Sequence, residues 1–233
     1  MCMLSRREQY RTGLRAGLPI LIGYVSIGLA YGVLMRQAGQ GAGPTVLMSA
    51  TVLAGASQMM AAGMLAQKGG TLAIIVATFV LNLRHLIMST CVFDRIKEPE
   101  KLGLRLLGAF AITDESFGVF MTTEADRCSL PYLLGIDTVI WLSWVGGSTI
   151  GAFASAFLPA LLEQSLSIAL YAMFIALLLP SLRGKKKLLF PVLLAAGMNI
   201  LLSRLIPGSW ALIVSTLLSA YIGSLVVGEE AAA

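Results

Sequence analysis

The stretch from Val80 to Met88 constrains this chain more than any other. It sets Asn82, Arg84 and His85, the only histidine, in the middle of an apolar run over about 71–92. An arginine at mid-bilayer costs roughly 2.5–3.5 kcal/mol to insert, while each surrounding Leu, Ile, Val or Phe returns only about 0.3–0.6 kcal/mol. Such a span is tolerable only when its charged face looks into protein or a hydrated cavity. The stretch is therefore expected to mark a site.

The rest of the chain points to lipid as its solvent. Hydrophobic residues make up 57% and charged residues 12%, against about a quarter charged in soluble domains. At 233 residues, and about 20 residues per span, there is room for six to eight apolar segments and no separate soluble domain. The expected fold is all-α, a polytopic helical membrane protein in which residues 1–233 form a single transmembrane domain. Cys2, Cys91 and Cys128 are too few and too scattered for a metal site or a disulfide framework. The net charge of +5 gathers at span ends, so it signals orientation in the membrane and not a nucleic-acid partner. Arg6, Arg7, Arg11 and Arg15 precede the first apolar run, which is too long for a cleaved signal peptide. An uncleaved signal anchor with a cytoplasmic N-terminus follows.

Two further stretches share the depth of the first. The run over about 44–66 is interrupted by Ala54-Gly55-Ala56-Ser57-Gln58, which suits either a broken or re-entrant segment or a small-faced packing helix. The run over 103–122 holds Thr113-Asp114-Glu115-Ser116. Gln58, Asn82 to His85, and Asp114 each lie about 11–14 residues into their runs, or ~16–21 Å at helical rise, near the middle of a ~30 Å core. Two carboxylates and one arginine at that depth must compensate one another. Asp137 follows early in the long apolar region over 131–162, with Trp141 and Trp144 after it.

The two halves, 13–122 and 131–228, look related. Gly28-x-x-x-Gly32 and Gly147-x-x-x-Gly151 stand 119 positions apart, and Asn82 and Asn199 stand 117 apart. Both glycine pairs are expected to let helices pack closely. If all eight runs crossed, the loop bearing Arg95, Lys97 and Lys101 would lie outside, against the positive-inside rule. If the second and sixth runs do not cross fully, that loop, the N-terminal arginines and the Arg183, Lys185, Lys186, Lys187 cluster all become cytoplasmic. Three crossings per half then remain, with the halves oppositely oriented as an inverted repeat.

The segments Ala54 to Gln58, Asn82-Leu83-Arg84-His85 and Thr113-Asp114-Glu115-Ser116-Phe117, in this order and spacing, resemble the large subunit of the AzlC/YgaZ-type branched-chain amino acid permeases. The resemblance runs from Gly13 to the end. It implies export of valine, leucine and isoleucine across a bacterial cytoplasmic (inner) membrane, and a small membrane partner of the AzlD/YgaH type. No cofactor is implied.

A free amino acid is a zwitterion, so a mid-membrane site needs a cation or helix N-terminus for its carboxylate, an acid or carbonyls for its ammonium, and an apolar pocket. Arg84 suits the first role and Asp114 or Glu115 the second. Gly55 and Ser57 add backbone groups at a break, and Gln58 and Asn82 add hydrogen bonds. Arg84 paired with Asp114 or Glu115 simply to join two helices is an equal reading. On an ideal helix Asn82 and His85 share a face with Arg84 about 100° away, so all three meet one cavity only if the helix is distorted. Asp114 and Glu115 are also about 100° apart, with Asp114 the choice for the site. No phosphate-binding loop is present, so uphill export would draw on an ion gradient, with His85 and Asp114 or Glu115 exchanging the proton. The alternatives are a channel or facilitator for another small solute, a non-catalytic membrane subunit, and an intramembrane hydrolase built on Ser57, His85 and Asp114. The last lacks a nucleophile-elbow motif, so no enzyme activity is expected.

Overall fold

The computed structural model describes residues 5–97, 99–157 and 189–227, with Ile175, Leu182 and Lys187. Every regular element among them is helical: α1 (Arg6–Gln37), α2 (Ala42–Val52), α3 (Gly55–Ala66), α4 (Thr71–Asn82), α5 (Arg84–Arg95), α6 (Leu102–Ala111), α7 (Asp114–Thr122), α8 (Leu130–Ala154) with a 3-10 turn (Ser155–Phe157), α9 (Leu189–Leu202) and α10 (Gly208–Val227). Three stretches among the described residues are long and apolar enough to cross a membrane: Arg6–Gln37, Thr71–Arg95 and Leu130–Phe157. The second of these is α4 and α5 joined through Leu83. An all-α, polytopic membrane protein follows, as expected.

A seam between α1 and α8 forms the core. A Cβ added at Gly28 would lie 3.0 Å from the Trp144 carbonyl oxygen, and one at Gly32 would lie 2.6 Å from the Ala152 nitrogen. From the other side, a Cβ at Gly147 would lie 2.5 Å from the Val25 carbonyl oxygen. Only glycine lets the two backbones meet this closely. The two small-residue motifs therefore pack on each other. Gly13 meets Gly135, Gly17 meets Ile136, Gly28 meets Gly147, and Gly32 faces Gly151. These partners rise together along both helices, so α1 and α8 run parallel.

Contacts across the chain set the topology. Arg6 Nη1/Nη2 lies at the start of α1, and its Nη2 pairs with Glu100 Oε2 at 2.9 Å, just before α6. Arg95, at the end of α5, donates through Nη1 to the Phe120 and Met121 carbonyls (3.3 and 2.5 Å) at the end of α7. Thus α5 ends, α6 begins and α7 ends on the face where α1 begins. The segment α6–α7 is a hairpin that enters and leaves through this N-terminal face, turning at Ile112–Thr113. Since α1 ends and α4 begins on the opposite face, α2–α3 is a second hairpin, entering from there and turning at Leu53–Ala54. Among the described residues the stretches long and apolar enough to cross are α1, α4–α5 and α8, with one hairpin after each of the first two.

This bears on the expected repeat. The second run does turn back, and the Arg95 to Lys101 loop does share the N-terminal face. The run over 103–122, however, does not cross: Thr113 and Ser116 cap a new helix and send the chain back. The halves beginning at α1 and α8 consequently start in the same direction and not in opposite ones. Within the first half, α1 with α2–α3 and α4–α5 with α6–α7 each pair a long apolar stretch with a hairpin, and the two long stretches run in opposite directions. The proposed sixth run over 166–182, apart from Ile175 and Leu182, and Arg183, Lys185 and Lys186 lie outside the described residues. Beyond them α9 and α10 are antiparallel, joined where Asn199 Nδ2 donates to Ser215 Oγ at 3.4 Å and where Gly223 abuts Pro191. Ile213 of α10 packs on Ala73 and Ala77 of α4 and on Met64 of α3.

Candidate functional site

Three breaks meet at one depth. The first is the α2–α3 turn, where Leu53 adopts a left-handed conformation (φ 45°). That conformation costs a β- or γ-branched side chain about 1–3 kcal/mol and is held by nearly complete burial of Leu53. Gln58 secures the turn from within α3. Its Oε1 accepts from the Ala54 N–H (3.2 Å) and from Trp144 Nε1–H (3.0 Å), which fixes the amide's orientation. Ser57 Oγ donates back to the Ala54 carbonyl at 3.0 Å. From α8, Trp141 Nε1–H donates to the Ala50 carbonyl at 3.1 Å.

The second break is the α6–α7 turn. Thr113 and Ser116 form reciprocal caps: the Ser116 N–H donates to Thr113 Oγ1 (3.2 Å), and the Thr113 N–H donates to Ser116 Oγ (2.9 Å). The pattern is that of a capping box with serine in the third helical position. It starts α7 at Asp114 and Glu115, whose negative charges suit a helix N-terminus. The third break is the interruption at Leu83, from which α5 starts at Arg84.

Arg84 Nη1 and Asp114 Oδ2 form an ion pair of 2.8 Å, each side chain about 30% exposed. Tyr24 of α1 donates its hydroxyl to Glu115 Oε2. His85 stands beside Arg84, Asp114 and the Ile112 backbone. Around these groups lies a cleft bounded by Tyr24 and Ile27 of α1, Leu53 to Ala56 at the first turn, Arg84 and His85, Thr113 to Glu115, and Trp144. Its volume is about 20 Å³, room for about one water molecule. That space is too small to hold an amino acid as the side chains stand. At its wall, Arg84 Nε and His85 Nε2 are buried without a hydrogen-bond partner among the described residues. Buried polar atoms seldom stay unpaired, so a polar guest suits the place.

Of the residues singled out in the sequence, Gly55, Arg84, His85, Asp114 and Glu115 meet at the cleft. The distortion needed for Arg84 and His85 to share it is supplied by the interruption at Leu83. Asp114 and Glu115 both reach the cleft, since Tyr24 and Arg84 approach the start of α7 from different sides. Ser57, Gln58 and Asn82 are not among its walls. Ser57 and Gln58 brace the first turn, and Asn82 lies at the end of α4. Ser57, His85 and Asp114 therefore do not assemble as a hydrolytic triad. Tyr24 and Trp144 were not foreseen. Both stand on the Gly-rich helices, and Trp144 looks in sequence like a headgroup anchor although its ring packs between Tyr24 and Tyr31 (centroids 5.8 and 5.5 Å).

Among the described residues, three apolar stretches long enough to cross and two hairpins that meet at a polar cleft define a polytopic, re-entrant helical membrane protein. Residues 19–158 match the family model described as "AzlC protein", and the chain belongs to that family. It is similar to an uncharacterized membrane protein of Archaeoglobus fulgidus, 32% identical, covering 79% of this chain and 81% of the relative. It is also similar to the inner membrane protein YgaZ of Escherichia coli, at 30% identity over 77% of this chain and 76% of the relative. The branched-chain amino acid transport protein AzlC of Bacillus subtilis is 26% identical, over 79% of this chain and 74% of the relative. No solved structure matches the chain. The matched segment holds both hairpins, the kinked crossing and most of the seam.

Proposed function

We propose that this chain is the large subunit of a two-component secondary transporter that exports branched-chain amino acids from the cytoplasm, with proton movement as the energy source. Family membership supports a membrane transport role, and the substrate reading follows the printed name of the Bacillus subtilis relative. The observation that carries the reading is the Arg84–Asp114 pair, placed where three helix starts converge on a small cleft. A zwitterion can replace both halves of such a pair: its carboxylate takes Arg84 and its ammonium takes Asp114 or Glu115. Binding then exchanges one compensated charge set for another and separates the α7 tip from α5. The apolar side chain of the substrate would face Ile27, Leu53 and the Trp144 ring.

His85, within the same cleft, is the proposed proton carrier together with Asp114 or Glu115. The small AzlD/YgaH-type partner is part of the proposal, as is a cytoplasmic N-terminal face, which Arg6, Arg7, Arg95, Lys97 and Lys101 support by their charge. A catalytic role is not proposed. The deciding experiment is valine efflux from proteoliposomes containing this chain, with and without its small partner, at several imposed pH gradients. Saturable, gradient-stimulated efflux that exchanges with external leucine is expected. Unsaturable flux accompanied by electrical conductance would instead make the protein a channel.

A further inference from the structure

Asp137 has no part in the cleft. It lies on α8, seven residues before Trp144, or about 10 Å nearer the N-terminal face. The residue is 2% exposed, and neither carboxyl oxygen has a hydrogen-bond partner among the described residues. It is among the walls of a second cavity of about 190 Å³, between α6 and α8, bounded by Leu107, Phe110 and Ala111 on one side and Leu134, Thr138 and Trp141 on the other. Across the interface it faces the Ser116 side chain of α7, which belongs to the capping box that starts α7. From α1, the Tyr10 hydroxyl reaches this region but donates to Thr138 Oγ1 (3.0 Å). No Lys, Arg, His, Asp or Glu stands among these neighbours. A carboxyl so placed is buried without charge compensation, and burial of that kind is tolerated only without the charge.

We propose that Asp137 is a proton-binding carboxyl, set between the N-terminal face and the cleft, whose protonation holds the α6–α7 hairpin closed against α8. The step is simple: the carboxylate gains a proton from water reaching the cavity and becomes the neutral acid. In that form the apolar side of α6 seals over it. When the proton leaves, the bare carboxylate draws water into the cavity, Ser116 turns toward it, and the cap that positions Asp114 and Glu115 loosens. Proton occupancy on one side of the hairpin thereby governs access to the charges at its tip. The inference deepens the proposed proton-driven transport and rests on it for its consequence, while the protonation itself can be read separately.

The test uses the full chain in proteoliposomes. Infrared difference spectra across a pH titration should show a carboxylic acid C=O band in the wild type that is lost in D137N and moved in D137E. The D137E arm decides the matter if asparagine impairs folding. A band unchanged in both variants, or no protonated acid in the wild type, overturns the assignment. In transport, D137N should reduce the stimulation of valine efflux by an imposed pH gradient at least tenfold, with D137E restoring most of it. Full gradient stimulation in D137N also overturns the proposal. If the wild type moves no branched-chain amino acid, the substrate reading fails while the infrared result still decides the role of Asp137.

Discussion

The two hairpins reach the same depth from opposite faces, yet they are held in different ways. The tip of α2–α3 is tied by neutral hydrogen bonds from Gln58 and Ser57, and by Trp141 and Trp144 from α8. The tip of α6–α7 carries two carboxylates, which reach the other elements through an ion pair to Arg84 and a hydrogen bond from Tyr24. Neutral buried bonds offer a zwitterion no charges to replace. A charge pair does: any zwitterion offers the same two charges. The first hairpin is thus built as a fixed wall and the second as a part that a substrate can displace.

The largest test of this contrast is Arg84→Ala, which leaves Asp114 without its counter-charge and the substrate without its cation. Removing one partner of a close charge pair costs roughly 2–5 kcal/mol, and the partial exposure of this one favours the lower end. Valine efflux from proteoliposomes should fall on the order of 100-fold. An unaffected rate would mean that the pair is not where the substrate sits. Asp114→Asn keeps the shape and part of the hydrogen bonding while losing the charge, so roughly a tenfold loss in the same assay is expected, mostly in apparent affinity.

On the fixed hairpin the effect should move from transport to stability. Gln58→Leu removes the acceptor that serves both Ala54 and Trp144, and thermal unfolding in detergent should report a loss of about 1–3 kcal/mol. Efflux per folded molecule should stay within about threefold. If it collapses while the protein remains folded, the first hairpin is not a passive wall. The smallest effects should come from the glycines of the two hairpins. Gly118 on α7 faces open space, so Gly118→Ala should be neutral or stabilising by up to ~1 kcal/mol. A Cβ at Gly55 would lie 3.2 Å from the Trp144 ring, so Gly55→Ala should lower the melting temperature slightly. Equal shifts in the two variants would erase the distinction in packing.

The class of the fold and the ingredients of the site were legible in the sequence because lipid makes polar residues expensive. Arg84, His85, Asp114 and Glu115 stand out against their apolar runs, and their common depth follows from counting residues. The direction of α6–α7 was not legible, because its two helices together are as long and as apolar as a crossing. What reverses the chain is the cap formed by Thr113 and Ser116, and the sequence Thr-Asp-Glu-Ser reads equally well as a polar patch within one straight helix. Gly28 to Gly32 and Gly147 to Gly151 do correspond, but as two parallel faces of one seam. Gln58 was expected at the substrate because an amide at mid-membrane looks functional. Its actual partners, Ala54 and the indole of Trp144, lie respectively at the end of the preceding turn and 86 positions away.

The seam also has a history during synthesis. Gly32 of α1 cannot find Gly151 until 119 more residues have been made, on the order of ten seconds of translation at ~5–20 residues per second. For that interval the grooved flank of the first helix must be covered by lipid tails or by a temporary companion in the insertion machinery. The oldest segment of the nascent protein is therefore among the last to reach its final neighbour, and a truncation before α8 should leave an inserted but unassembled chain.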